Sequence, residues 1–532
     1  MAVNKYKDLA QTRGNMMRAK LGEEGGYALA VVIILALVSA VTVAGFLSLS
    51  LTENKIVASN NDSIAAFHIA EAGLEKGVRL LYEDIQNTPE EAVPSWLDGK
   101  FYFDEDGGGY TSIGPVSYFP IFYVLKGATS FGGGEYTIEV ANVAGCNHTI
   151  WVRSTGTYRG KTRAVLSMFR VKNINPWNNA IFAGAGQSGR VINGNVDIRG
   201  SVHILGVEDY HDPVMEMSGG AFIGNHYAGM DWELSSRVPS ILQMVDGRLI
   251  ETLGTEVRVR YGQVSLSGSA DIGAPDAEVG DVKNPVDGTY VTDGFVGNKG
   301  TANVYSDNGT DNPYDVPSGY IDDFPRITDP YEGYDSYMDY LRANGLVISD
   351  SSDLNELSSI TAGSSFSFSN AKGSIAMDGN GNLTISGVVV IEGDLVFAAG
   401  NGQDKGSIAY SGSAAILATG DITINNNIRV QSGGTFPITG IMGLMTPSTI
   451  TFETAQLQVQ GIFYAENSIV STKQTSVTGT FFSDYFDMGT NVPNIYQVPA
   501  VVDYLPFGMF GSMNLYTIRR DCFREVDVGE TL

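Results

Sequence analysis

The chain has 532 residues, enough for several domains or one elongated body, and carries 59 Asp plus Glu against 33 Lys plus Arg, a formal net charge of −26. That balance excludes a nucleic-acid ligand, which needs clustered bases to meet its phosphates. With 43% hydrophobic residues the chain is not disordered, and 64 Gly without a collagen period, among Ser, Thr, Asn and alternating Val/Ile, point to β structure with many tight turns.

Residues 1–26 hold Lys5, Lys7, Arg13, Arg18 and Lys20 against Asp8, Glu23 and Glu24, and end in Gly25-Gly26. An apolar run of 23 residues follows, Tyr27 to Leu49, whose only strongly polar side chains are Ser39, Thr42 and Ser48. As a helix it is ~34 Å long, enough to span a bilayer core. The basic residues before it put the N-terminus in the cytoplasm and the bulk of the chain outside. A cleaved secretory signal has a shorter apolar core and a small-residue site after it. This run is too long and no such site follows, which leaves a plain anchor or a leader cut on the cytoplasmic side.

The helix is expected to continue to Leu81, giving one rod of ~80 Å over Tyr27–Leu81. Ile64, Phe67, Ala70, Leu74, Val78 and Leu81 recur at three and four residues and build one apolar face. Gly45, Gly73 and Gly77 each weaken a helix by ~1 kcal/mol relative to Ala, so close packing against a neighbour is expected there.

The Gly25-Gly26 pair, the apolar run directly after it, Thr52-Glu53, and the string Ala66-Phe67-x-x-Ala70-Glu71-Ala72-Gly73-Leu74-Glu75 resemble the N-terminus of a type IV pilin-like protein, specifically the PilX type of minor pilin. The resemblance implies cutting by prepilin peptidase after Gly26 (or Gly25), with Tyr27 as the new first residue. It implies that Val31, Ile34, Leu37 and Phe46 pack in membrane and filament, and that Phe67, Ala70, Glu71, Leu74 and Glu75 pack the helix on the head. The partners implied are other minor and major pilins, the peptidase and the inner-membrane assembly platform. The chain would sit in the inner membrane and then in a surface pilus with its head outside. Two departures stand out: Tyr27 replaces the family's Phe or Met, and Val31 replaces its Glu, as in the minor pilins placed at a filament tip. The mature chain would carry −28, since residues 1–26 hold five bases and three acids.

Residues 82–100, broken by Pro89 and Pro94, read as the end of the helix and a connector. From Phe101 to Lys172 the pattern is strand-like: Tyr136–Val140 and Thr149–Tyr158 alternate, and a turn at Arg159-Gly160-Lys161 leads into a return strand over Thr162–Val171. The Ser154-Thr155-Gly156-Thr157-Tyr158 stretch and its hairpin resemble the sheet that packs on the pilin helix.

Short β runs separated by Gly and Asn then appear at Ala180–Leu205, Leu383–Phe397, Ser413–Val430, Ile438–Phe452, Val459–Val470 and Ser476–Met488. Glycines at 387, 412, 440, 461 and 479 punctuate them at intervals of 25, 28, 21 and 18, the coil length of a right-handed parallel β-helix. A β-sandwich is the alternative. Between these runs, about 206–365, lies an acidic and aromatic stretch. It reads as an irregular insertion covering the solenoid, or as a Tyr-rich binding surface, with a short helix over Asp329–Ala343 whose Pro330 lies near its first turn.

The fold class is thus α+β, mostly β, divided as leader 1–26, helix and connector 27–95, pilin-like β-domain 96–175, β-solenoid head 176–500 and closing segment 501–532. Cys146 and Cys522, the two cysteines, can form a disulfide outside the cytoplasm but no Cys-rich metal site. The five histidines, His68, His148, His203, His211 and His226, lack zinc-site spacing, so no metal or cofactor is expected. Parallel β-helices also host polysaccharide lyases and hydrolases. However, Asp322-Asp323 are adjacent rather than opposed, and Asp378–Asn382 lacks the Gly and Glu of a calcium loop. No catalytic residue is assigned. The sequence reads as a minor pilin acting at a filament tip as initiator, cap or adhesive head. The alternatives are a membrane-anchored carbohydrate-active enzyme and a tip pseudopilin of a type II secretion system.

Overall fold

The computed structural model describes residues 3–87, 123–142, 149–188, 191–245, 248–275, 280–316, 321–399, 406–471, 473–489, 493–510 and 516–528. It is a long N-terminal helix followed by a strand-rich body. The helix runs without a break over Val3–Asn87, 85 residues, so the leader and the apolar run form one rod with the amphipathic stretch. Most of the connector expected after it lies outside the described residues.

Four antiparallel strands come next: β1 Tyr123–Phe131, β2 Gly134–Asn142, β3 Thr149–Tyr158 and β4 Lys161–Asn173. The β3–β4 hairpin closes on Arg159 and Gly160, at φ 45° and 77°. Two positive φ values make the twisted two-residue turn that suits a hairpin, with Tyr158 facing Lys161. Tyr136, Ile138, Val140, Ile150, Val152, Val165, Phe169 and Val171 form the buried face toward the helix.

The fifth strand of this sheet comes from the far end of the chain. Tyr516–Val526 pairs antiparallel with β4, from Tyr516 opposite Asn173 to Val526 opposite Ala164. The C-terminal closing segment thus completes the sheet of the domain over 96–175. Pairing between strands 340 residues apart leaves no local trace in sequence.

Most of the remaining strands join one 20-stranded sheet whose pairings are parallel except in the hairpin series Ser365–Ser369, Gly373–Asp378 and Asn382–Ile391 at one end, while a parallel 4-stranded sheet and the hairpin Leu242–Val245/Arg248–Glu251 stand apart from it. Chain order and stacking order differ. From Ile181–Gln187 the rungs proceed through Val202–Ile204 and Glu256–Val259 to Gly288–Val291. The second series starts at Leu346–Ile348 and stacks through Asn382–Ile391, Ile408–Ala418, Gly440–Thr446 and Leu457–Ser471 to Thr475–Asp487. That last strand lies against Ile181–Gln187, so the two series meet in mid-stack. Gly412 faces Gly440 and Gly461 faces Gly479, whereas Gly387 faces Ala414.

Residues 206–365 correct the sequence reading. Their strands Phe222–Gly224, Glu256–Val259, Asp271–Ile272 and Gly288–Val291 are rungs of the stack itself, not an insertion beside it. Only the later part, 308–316 and 321–342, runs as a strap back across the rungs. Along it Thr289 Oγ1 donates to the Gly309 carbonyl (2.6 Å), Asp315 meets Arg258 (2.7 Å), Arg326 meets Asp484 (2.8 Å), Thr328 Oγ1 donates to Glu466 (2.6 Å) and Arg342 meets Glu392 (2.7 Å). The short helix is Tyr337–Asn344, capped by the Ser336 hydroxyl, six residues beyond Pro330. Its tyrosines turn inward: Tyr331 packs on Tyr337 at 4.7 Å between ring centres, and Tyr337 on Phe510 at 5.0 Å. Asp378 sits in a hairpin turn, where its Oδ1 accepts from the Asn380 and Asn382 amides (2.8 and 3.1 Å). Those bonds, with Asn382's side chain first, hold its carboxyl at about 2.

Candidate functional site: one helix in two environments

Along the single helix the apolar side chains change surroundings. In the first part Tyr27 is 77% exposed, Val31 43%, Ile34 62%, Leu37 61% and Phe46 72%. This is the one helix among the described residues long and apolar enough to cross a membrane. Its polar Thr42 and Thr52 return their hydroxyls to carbonyls one turn back, Val38 (2.7 Å) and Ser48 (2.8 Å), so neither leaves an unpaired donor. Gly26 belongs to the same helix. Gly45 has open space around it, so close packing is not its role within one chain.

In the second part the helix beds into the small sheet. Ala66, Ile69, Ala70, Leu74 and Leu81 are at most 4% exposed. This stripe is turned around the helix from the expected one: Ile64 is 55% exposed, Phe67 and Val78 are half-buried, and Ile69 takes a central place. Small residues set that rotation by letting the sheet approach there. A Cβ on Gly73 would lie 2.3 Å from Ser154 Oγ, and one on Gly77 2.9 Å from Ile138 Cγ2. From the sheet side, a Cβ on Gly156 would lie 2.3 Å from the Ala66 carbonyl oxygen and 2.4 Å from the Ala70 nitrogen. The Ser-Thr-Gly-Thr-Tyr stretch thus places a glycine where the helix backbone touches the sheet.

Of the residues singled out in the motif, Ala70 and Leu74 face the small sheet rather than the stacked rungs. Phe67 meets Phe523 edge-on at 6.5 Å, and Glu75 pairs with Arg520, both on the C-terminal strand. Among the described residues Glu71 reaches only His68, one turn back on its own helix, at 2.9 Å. Cys522 is half-buried on the C-terminal strand, while Cys146 lies outside the described residues, so their pairing is not addressed.

Sequence reasoning missed the joint between the small sheet and the stack. Arg170 on β4 pairs with Asp287 at 2.9 Å, and Lys172 pairs with Glu256, which also meets Arg258. Burial alone would raise the Glu256 carboxyl, but Arg258 and Lys172 outweigh it and hold it at about 2. Beside them His203 is pushed down to about 3 by burial and then by Arg258, with its Nε2 2.7 Å from the Tyr314 hydroxyl. Next to this cluster Gln497 binds both sides of the seam: its Oε1 accepts from the Ser201 amide (2.7 Å) and its Nε2 donates to the Asn178 carbonyl (2.8 Å). Trp177, fully buried, donates from Nε1 to the Phe510 carbonyl (2.6 Å). The only local signal was Asn173-Ile-Asn-Pro-Trp177, a turn-rich string ending in a large apolar residue.

No family model matches the chain, and no curated protein matches it. Among solved structures it is similar to the crystal structure of the competence-associated pilin ComZ from Thermus thermophilus, with 18% identity, a TM-score of 0.48, and coverage of 87% of this chain and 97% of that one.

Proposed function

We propose that this chain is a minor pilin of a type IV filament, with a mechanical and associative role rather than a catalytic one. The observation that supports this most is the change of environment along one unbroken helix. From Tyr27 to Leu51 the large apolar side chains are 43–77% exposed, while 66–81 carries a buried stripe against the sheet. Each large apolar side chain left in water forgoes about 1.5–3 kcal/mol. Lipid covers that surface before assembly, and neighbouring pilin helices cover it afterwards. Prepilin peptidase cuts after Gly26 and leaves Tyr27 first. Val31, in place of an acid, suits a subunit with no further subunit above it, so the chain sits at the tip with its head as initiator, cap or adhesive surface.

The stacked rungs read as a right-handed parallel β-helix. Parallel strands joined by crossovers are right-handed in about 98% of cases, and parallel pairing disfavours the antiparallel β-sandwich. The test is the intact mass and N-terminal sequence of membrane-extracted protein with active and with inactive prepilin peptidase. A chain beginning at Tyr27 only when the peptidase is active is expected. A chain that stays uncut in both would overturn the pilin reading and leave a plain membrane anchor.

A further inference from the structure

Six consecutive rungs of the head align one side chain each into a column: Gln458, Ser476, Asn494, Asp197, Phe222 and Asp271, every one the register partner of the next. At about 4.8 Å per rung the column is about 24 Å long. It lines two adjoining cavities of 650 and 480 Å³ that share Asn195 and Asn494 and so form one trough. All six residues are half-buried, while Asn195, Gln456 and Gln474 stand exposed along the rim.

The chemistry of the trough narrows its occupant. Amides and hydroxyls dominate, and each can both donate and accept. The one base, Arg199, is held by Asp197 at 2.6 Å and lies over the Phe222 ring at 4.6 Å, so it offers no open site for an anion. Asp271 lines the far end of the trough, with its Oδ1 buried and its other carboxylate oxygen left to meet an occupant. Burial pushes this carboxyl up to about 6, against the Ala274 amide and Arg199, which lower it. Each rung is already paired with the next, so a peptide finds no open strand edge to extend. Two carboxylates within a body of net charge −26 repel polyanions. A hydroxyl-rich, uncharged, extended polymer meets all of these conditions, and one sugar unit of an extended glycan advances by about one rung.

We propose that this trough binds an extended uncharged glycan laid across the rungs, with Gln458, Ser476 and Asn494 bonding sugar hydroxyls and Asp271 accepting from one at the far end. This rests on the adhesive-head reading above and gives that head a class of ligand. The test is calorimetric titration of the full-length protein in lipid nanodiscs with cellohexaose, maltohexaose and chitohexaose, and with an oligogalacturonate of equal length. Binding of at least one uncharged hexasaccharide, and not the uronate, is expected. Ser476→Trp in the column and Gln456→Trp on the exposed rim should each weaken it about tenfold or more at an unchanged melting temperature. Should Ser476→Trp fail to fold, the rim variant carries the test. No uncharged glycan bound, equal binding of the uronate, or full affinity in Gln456→Trp would overturn the proposal. The titration is repeated on protein with an uncut N-terminus, so that a failure of the pilin reading and a failure of the glycan site give different results.

Discussion

The small sheet is held to its two neighbours by opposite means. Toward the helix the joint is apolar: Ala70, Leu74 and Leu81 against Ile138, Val152 and Phe169, with glycines at 73, 77 and 156 bringing the backbones close. Toward the stacked rungs it is ionic and amide-rich: Lys172, Glu256, Arg258 and the Arg170–Asp287 pair, flanked by Gln497 and Asn178. Apolar packing is insensitive to pH and carries most of the binding energy. Buried charges contribute little net stability but accept only one arrangement, because a misplaced partner leaves a charge unpaired. The first joint attaches the rod, and the second fixes how the head is oriented on it.

Stability measurements sharpen or break that contrast. Glu256→Ala leaves Lys172 and Arg258 buried without their acceptor and should cost about 3–5 kcal/mol at the head joint, read as a lower melting transition of the head. Leu74→Ala should cost about 2–5 kcal/mol, confined to the helix–sheet unit and visible as faster amide exchange in β3. Acid should weaken the head joint. His203 is held at about 3 in the fold against an ordinary 6.5, so its contribution is complete above pH 6.5 and drains as pH falls toward 3. Glu256, held at about 2, acts in the same direction below pH 4.5. Together they favour a loss of about 3–4 kcal/mol at this joint between pH 7 and pH 4, which the raised carboxyls of Asp503 and Asp271 largely offset in a whole-protein thermal melt. Asp503 opposes them: burial raises it to about 6, so it costs stability as pH rises from 3.8 to 6, and Asp503→Asn should remove that component. Gly156→Ala pushes the helix off the sheet and should cost about 1–3 kcal/mol, measured by chemical denaturation. Glu75→Gln at the exposed Arg520 pair should cost only about 0.2–1 kcal/mol. A larger loss there would mean that the C-terminal strand holds the helix more firmly than the apolar face does.

How much was legible in the sequence follows the length of each pattern. Thr149–Tyr158 was read with its true bounds because ten residues alternate and a two-residue turn follows. The long helix announced itself through a 23-residue apolar run and a repeating stripe, although the stripe was placed slightly around from its real position. That error came from weighting large side chains, when the small ones decide where a sheet can approach. The rungs in 206–365 were missed because strands such as Asp271–Ile272 hold two residues, too few for any period. What places them is a ladder to Phe222-Ile223, far back in the chain. The glycan trough was invisible for the same reason: its six residues come from segments scattered between 197 and 494 and meet only through register.

The chain leaves the small sheet at Asn173 and returns to it at Tyr516, directly opposite. Between those points lies the whole head, which is therefore a closed loop of polypeptide with both ends anchored on adjacent strands. Tension applied to such a head divides between one covalent path, through Asn173, and one hydrogen-bonded path, the C-terminal strand. A protease that nicks it once, anywhere along the loop, opens the ring without setting it free. Shedding the head after a cut beyond Asn173 also requires the C-terminal strand to peel away from β4.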